Sequence, residues 1–361
     1  MGGPVHSAFV VILLVTVLSH GCVPPTPPTP KSSPPPRTPH GPTGVEDKEI
    51  DRFIKDVRAH KEDAPQPPRQ QDSVVAKSVA VIWAPERTPL LQDVLLRFAV
   101  AGPLSQVTIN TVLLELSDKQ LKKSAQAASN SLTNDPLLGW IVSAQKMGFR
   151  VFLTTPFRFT TRYAEKTVTG GTTSAGEDAD IFSPEVKKGI LSFYRNIARY
   201  PLNGIYVNQI AYGMKEGITP YAVATYQDAF SEKLEARQNA TSHSLWRFAG
   251  LKSRHITKVL NDIWAEIHMA SPEMEFGIGI PEILLMDPAK GLLETSLDYL
   301  ELKEAQFDFY VVASLGAGVQ KVSESLLKYG KLERVWFHRT RKETIVSLLE
   351  MPIQGVIVTT P

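Results

Sequence analysis

The chain has 361 residues, 43% hydrophobic and 21% charged, and its 39 Lys and Arg against 37 Asp and Glu leave a formal net charge of +2. So even a balance, with no long basic run, argues against a nucleic-acid partner. One cysteine, Cys22, excludes an intrachain disulfide; eight scattered histidines with no i, i+4 pair offer no Cys/His cluster, so no metal or other cofactor is expected.

Residues 8–18, AFVVILLVTVL, form an apolar run of eleven. A helix that spans a bilayer needs about 20 apolar residues, so the run fits the core of a signal peptide instead. LSHGC follows, with a small residue before the lone cysteine. Residues 1–22 are therefore expected to be a lipoprotein signal peptide whose lipobox ends at Cys22. Cys22 would be acylated and would hold the protein on a membrane of the cell envelope. A plain signal peptide with an incidental cysteine is the alternative.

Residues 23–42, VPPTPPTPKSSPPPRTPHGP, are half proline. Such a segment cannot build a core and favours polyproline II. At about 3.1 Å per residue it reaches roughly 60 Å. Residues 46–60 are highly charged, yet Ile50, Phe53, Ile54 and Val57 fall on one face of a short helix, expected to dock on the main domain or on a partner. Residues 23–72 thus read as a disordered tether with one short amphipathic helix, and residues 73–361 as one domain.

From about residue 74, apolar runs alternate with amphipathic stretches. SVAVIWAP, TVLLEL, RVFLTTPF, GIYV, EFGIGIP, FDFYVVAS, RVWFHR and QGVIVTT read as strands. PLLQDVLLRFAVAG, PLLGWIVSAQKMG, SPEVKKGILSFYRNIARY, the stripe Ile256, Val259, Leu260, Ile263 and Ile267, then GLLETSLDYLEL, VSESLLKYG and KETIVSLLE read as helices. Ser183 stands as N-cap before Pro184 at the first helical position. Continuously apolar strands suit a parallel sheet covered on both faces. Eight of them alternating with helices predict an α/β fold of the (β/α)8 TIM-barrel type, lacking the last helix after the eighth strand. A doubly wound open sheet fits less well, because no glycine-rich turn follows the first strand.

In such barrels the site lies at the C-terminal ends of the strands. The predicted strands deliver there, in order, Trp83 and Glu86; Glu115, Ser117 and Asp118; Pro156, Phe157 and Arg158, with the loop TVTGGTTSAGEDAD; Asn208 and Gln209; Pro281 and Glu282; Ser314; and His338, Arg339 and Arg341. Trp83 is a candidate sugar platform or simply core. Glu115 and Glu282 are the candidate catalytic acids. GAGVQK at 316–321 has the form of a phosphate loop but reads better as a tight turn.

The run SPEVKKGILSFYRNIARYPLNGIYVNQ, residues 183–209, resembles the glycoside-hydrolase-like barrel that forms the C-terminal domain of poly-β-1,6-N-acetyl-D-glucosamine deacetylases. The resemblance extends over most of residues 74–361, through KMGFRVFLTTPF before that run and Trp246, Lys252 and FGIGIPEILLMDP after it. It implies an outer-membrane lipoprotein facing the periplasm, with an exported amino-sugar polysaccharide as ligand. It also implies that Trp246 and Lys252 join Trp83, Asn208, Gln209 and His338 as substrate-binding residues. No counterpart of the deacetylase half of those proteins is expected, since the residues before 74 cannot hold it.

The resemblance places the family's His-Asp-Asp on Val207, Asn208 and Gln209. Glycoside hydrolysis usually needs two carboxyl groups, about 5 Å apart in retaining enzymes and roughly 6.5 to 9.5 Å apart in inverting ones. An amide binds a sugar hydroxyl but neither donates a catalytic proton nor attacks. The better-known barrel glycosidases carry Asn-Glu at strand four and Glu at strand seven; here the residues are Asn208-Gln209 and His338. Three functions follow as expectations: a barrel that binds a poly-N-acetylglucosamine-like polymer, an active hydrolase using Glu115 and Glu282, or an assembly lipoprotein that holds an envelope protein partner.

Overall fold

A computed structural model of the chain describes residues 78–100, 108–130, 132, 135–169, 180–214, 216–234, 243–313, 321–322, 324–326, 334–339, 348, 351 and 353–358. Cys22, the proline-rich tether and the Ile50 to Val57 stripe lie outside the described residues, as do 170–179, Ser314, 316–320 and Arg341.

Eight strands form: β1 Ser78–Trp83, β2 Thr111–Glu115, β3 Arg150–Pro156, β4 Gly204–Asn208, β5 Glu275–Pro281, β6 Phe309–Ala313, β7 Val335–Arg339 and β8 Gly355–Val358. Each pairs in parallel with the next, and β8 with β1, so the sheet closes as the expected (β/α)8 barrel. The described helices are α1 Leu91–Val100, α2 Asp118–Asn130, α3 Pro136–Lys146, α4 Phe157–Thr169, α5 Pro184–Ile197, α6 Pro220–Phe230, α7 His243–Ala270, α8 Ile283–Met286, α9 Pro288–Thr295 and α10 Tyr299–Lys303. Ser183 caps α5 as its sequence predicts, accepting from the Val186 N–H.

The expected single helix over 291–302 is two. Ser296 ends α9 in the left-handed region at φ 50°, and Asp298 starts α10 by accepting the Leu300 N–H at 2.9 Å. Helices α2, α4, α6 and the short α8 have no counterpart in the sequence reading. The buried face of α2 is Gln120, Leu121, Ser124, Ala125 and Ala128, too polar to show as an apolar stripe. Helix α4 starts directly at the end of β3, and its last residues, Thr167–Thr169, overlap the start of the loop expected over 167–180.

The pairing register fixes what fills the barrel. Passing from each strand to its partner and up one residue, the tilt of such a barrel, returns to Ala80 after eight strands. Inward residues therefore stack in layers of four from alternate strands. From the bottom they are Thr111, Gly204, Phe309 and Gly355; then Ala80, Phe152, Gly277 and Trp336; then Leu113, Tyr206, Val311 and Ile357; then Ile82, Thr154, Gly279 and His338. The aromatics fit because glycines face them. A Cβ on Gly277 would lie 2.1 Å from the Phe309 ring, and one on Gly204 would lie 2.3 Å from Phe152. The Phe152 and Phe309 rings meet edge to face at 5.6 Å. The lower lumen is thus filled by side chains, while Glu115 and Ala313 at its top are exposed.

The bottom of the wall is tied by a repeated device. Asn110, Asn203 and Asp308 stand just before β2, β4 and β6, and each accepts a backbone N–H of the preceding strand: Val79, Val151 and Phe276.

Candidate functional site at the barrel mouth

The top of the lumen is built by strand parity. Above His338 and Thr154, the next inward positions are Glu115 on β2, Asn208 on β4 and Ala313 on β6. Glu115 is exposed, while Asn208 and His338 are half-buried. Three sequence-predicted residues therefore meet at one mouth. Burial holds the His338 imidazole below its ordinary pKa, and the Glu115 carboxylate partly offsets this by favouring the cation.

Asn208 is the residue with unfinished chemistry. Its Oδ1 is buried and has no hydrogen-bond partner among the described residues, a state that is costly unless something supplies a donor. Val207 faces outward into the helix layer and is fully buried. Gln209 is exposed and left-handed, at φ 53°, a conformation uncommon for a residue with a Cβ.

Tyr206, which the sequence reading passed over, faces the same way as Asn208, one inward position below it. It is 7% exposed, and its hydroxyl has no hydrogen bond among the described residues. A Cβ on Gly279 would sit 2.7 Å from that oxygen, so the glycine leaves the hydroxyl its room. Burial alone pushes the phenol well above its ordinary range, so it is a donor at neutral pH. The signal was the alternation Tyr206-Val207-Asn208, which puts the two polar groups on one face.

Other predicted residues stand elsewhere. Trp83 is not a sugar platform: its parity is outward, it is 2% exposed in the layer between barrel and helices, and its indole N–H donates to Thr88 O at 2.7 Å. Lys252 is not a rim residue either. It is wholly buried on α7, and its Nζ donates to the carbonyls of Gly213, Met214 and Glu216 at 2.7, 3.1 and 2.9 Å. Trp246 is half-buried in the first turn of α7. Glu282 is half-buried at the head of α8 and makes no capping bond there. Glu86 braces two rim loops by accepting from Ser117 N at 2.6 Å and Ser117 Oγ at 2.8 Å. Arg158 pairs with Glu216 at 2.5 Å and lies over the Tyr212 ring. Among the described residues no cluster of His, Cys, Asp and Glu suits a metal ion, and no helix is long and apolar enough to cross a membrane.

No family model and no curated protein sequence matches this chain. Solved structures do match it in shape. The PgaB (BpsB) glycoside hydrolase domain from Bordetella bronchiseptica superposes with a TM-score of 0.56 at 13% identity, over 78% of this chain and 93% of that one. β-Galactosidases from Halorubrum lacusprofundi, at 10% identity, and from Bacillus circulans sp. alkalophilus, at 11%, each give 0.51 over 78% of this chain. This chain spans about half of their length, 52% and 50%. At these identities the likeness is one of fold: the chain shares its (β/α)8 barrel with these structures, along nearly the whole length of the PgaB domain.

Proposed function

We propose that the barrel mouth binds an amino-sugar polysaccharide of the poly-N-acetylglucosamine kind, and that binding replaces two-carboxylate hydrolysis. The observation that carries this is the buried Oδ1 of Asn208 at the end of β4, which has no partner among the described residues. A sugar hydroxyl or an ammonium group supplies the donor it lacks, and Tyr206 supplies a hydroxyl from the floor. Glu115 is the one carboxylate at an inward strand position of the mouth among the described residues, and it attracts a partly deacetylated, cationic polymer. In this reading the lipid on Cys22 fixes the protein to the outer membrane, facing the periplasm, and the proline-rich tether holds the barrel out toward the polymer. An envelope protein could then dock elsewhere on the surface.

Hydrolysis by Glu115 and Glu282 is the second reading. Its support is that β2 and β5 stand three strands apart, the same separation as β4 and β7. Incubating the full chain with partly deacetylated glucosamine oligomers and weighing the products by mass spectrometry separates the two. Binding without shorter products supports the first. Products that vanish in both Glu115→Gln and Glu282→Gln replace it with the second, because the isosteric amide keeps the shape and removes the proton chemistry.

A further inference from the structure

From the three carbonyls that Lys252 holds, we infer that this residue is a positioning residue for the mouth: a tethered cation that sets the backbone after β4, and through it Asn208. The inference rests on the binding function proposed above. Lys252 is buried on α7, its Nζ over the Phe248 ring at 4.7 Å from the centroid. Its three N–H donors match three acceptors, Gly213 O, Met214 O and Glu216 O. Three carbonyls turned toward one point repel each other unless a cation sits among them. The fold therefore supplies an ammonium where a loop alone would need an ion.

That loop begins at the ligand-facing residue itself. Asn208 is followed by Gln209 at φ 53°, and Gly217 closes the segment at φ 71°. The glycine takes this backbone freely, but at Gln209, which carries a Cβ, it persists only where its surroundings over-determine it. Four other contacts do so, two from α4, one from α9 and one within the loop. Glu216 Oε2 accepts from Arg158 of α4 at 2.5 Å and from Gly213 N at 2.7 Å. Tyr212 N donates to Thr295 O of α9 at 2.8 Å. The Tyr212 ring lies under the Arg158 guanidinium at 4.9 Å. Lys252 binds three residues of the loop at once. Its loss unfastens 213–216 and lets the turn at Gln209 relax, which moves the Asn208 amide off its aim.

The test uses Lys252→Ala in the full chain, with n-propylammonium added to fill the deleted stem and charge. Two readouts are taken: hydrogen exchange of residues 209–217 against that of the strands, and affinity for glucosamine oligomers. The expected result is faster exchange confined to 209–217 and an affinity lowered about tenfold, the scale of one charged hydrogen bond. Both are restored by propylammonium and not by tetramethylammonium, which has no N–H. Unchanged exchange in the loop, or equal effects of the two ions, overturns the role of Lys252. If the wild-type chain binds no oligomer but the exchange result stands, the clamp is right and the ligand is wrong. Should Lys252→Ala fail to fold, Lys252→Met keeps the stem and deletes the charge. Wild-type loop protection in that variant also overturns the inference.

Discussion

His338 and Glu115 face the same lumen from β7 and β2, and the carboxylate favours the proton that burial takes from the imidazole. Burial is the larger effect, so His338 is neutral in the folded barrel at neutral pH. His255, half-buried and stacked on Phe182 at 4.3 Å, is held low for the same reason. The unfolded chain, with ordinary histidines near about 6.5, takes up protons first as pH falls. Stability is therefore full above about pH 6.5 and declines below it, toward the lower folded-state values. Melting temperature against pH is expected to drop on the acid side. His338→Gln flattens part of that drop and Glu115→Gln steepens it, since it removes the charge that helps the cation. A Glu115→Gln curve that is flatter than wild type contradicts the placement of the pair.

The packed lumen makes a sharper demand on glycine. Gly277→Ala puts a methyl group 2.1 Å from Phe309 ring atoms and is expected to cost about 1 to 3 kcal/mol in denaturant unfolding. Adding Phe309→Leu recovers part of the loss. Gly139→Ala, in α3 with nothing within 4 Å of the new carbon, is expected to stabilise by up to about 1 kcal/mol. Equal effects at the two positions mean that the layers are not packed as described.

Asn208 sets stability against binding. An acceptor buried without a donor is a cost that the free protein carries. Asn208→Ala is therefore expected to leave the unfolding free energy unchanged or to raise it by about 1 kcal/mol. A loss of 2 kcal/mol or more would reveal a structural partner for the amide.

Much of the architecture is legible in the sequence. Eight continuously apolar strands, with Ser183-Pro184 opening a helix before the fourth, point to a closed parallel barrel. The site is only partly legible, because one residue of parity decides it. Ile82 faces in and Trp83 faces out, so the tryptophan that ends the strand belongs to the core. Tyr206 was visible in the same alternation that places Asn208. Lys252 was named from the resemblance as a substrate-binding residue, but its hold on three carbonyls was not legible, because these partners lie 36 to 39 positions earlier and are backbone oxygens that carry no side-chain signature. The break at Ser296 is of the same kind: a left-handed residue with a side chain leaves no mark in periodicity.

The lipid anchor is a prediction about residues before the barrel. Fatty-acid labelling is expected in the wild-type chain and absent in Cys22→Ser. Equal labelling of the two removes the anchor from the account and leaves a plain exported barrel.

The central claim is that a sugar polymer seats against Asn208 at the barrel mouth. Calorimetric titration of partly deacetylated glucosamine oligomers into wild type and Asn208→Ala, with folding checked for both, tests it most directly. The account predicts saturable binding to the wild type and an affinity weakened by about 1 to 3 kcal/mol in the variant, with no shorter oligomers released by either. Equal affinity in the two proteins, or no binding to the wild type at all, contradicts it.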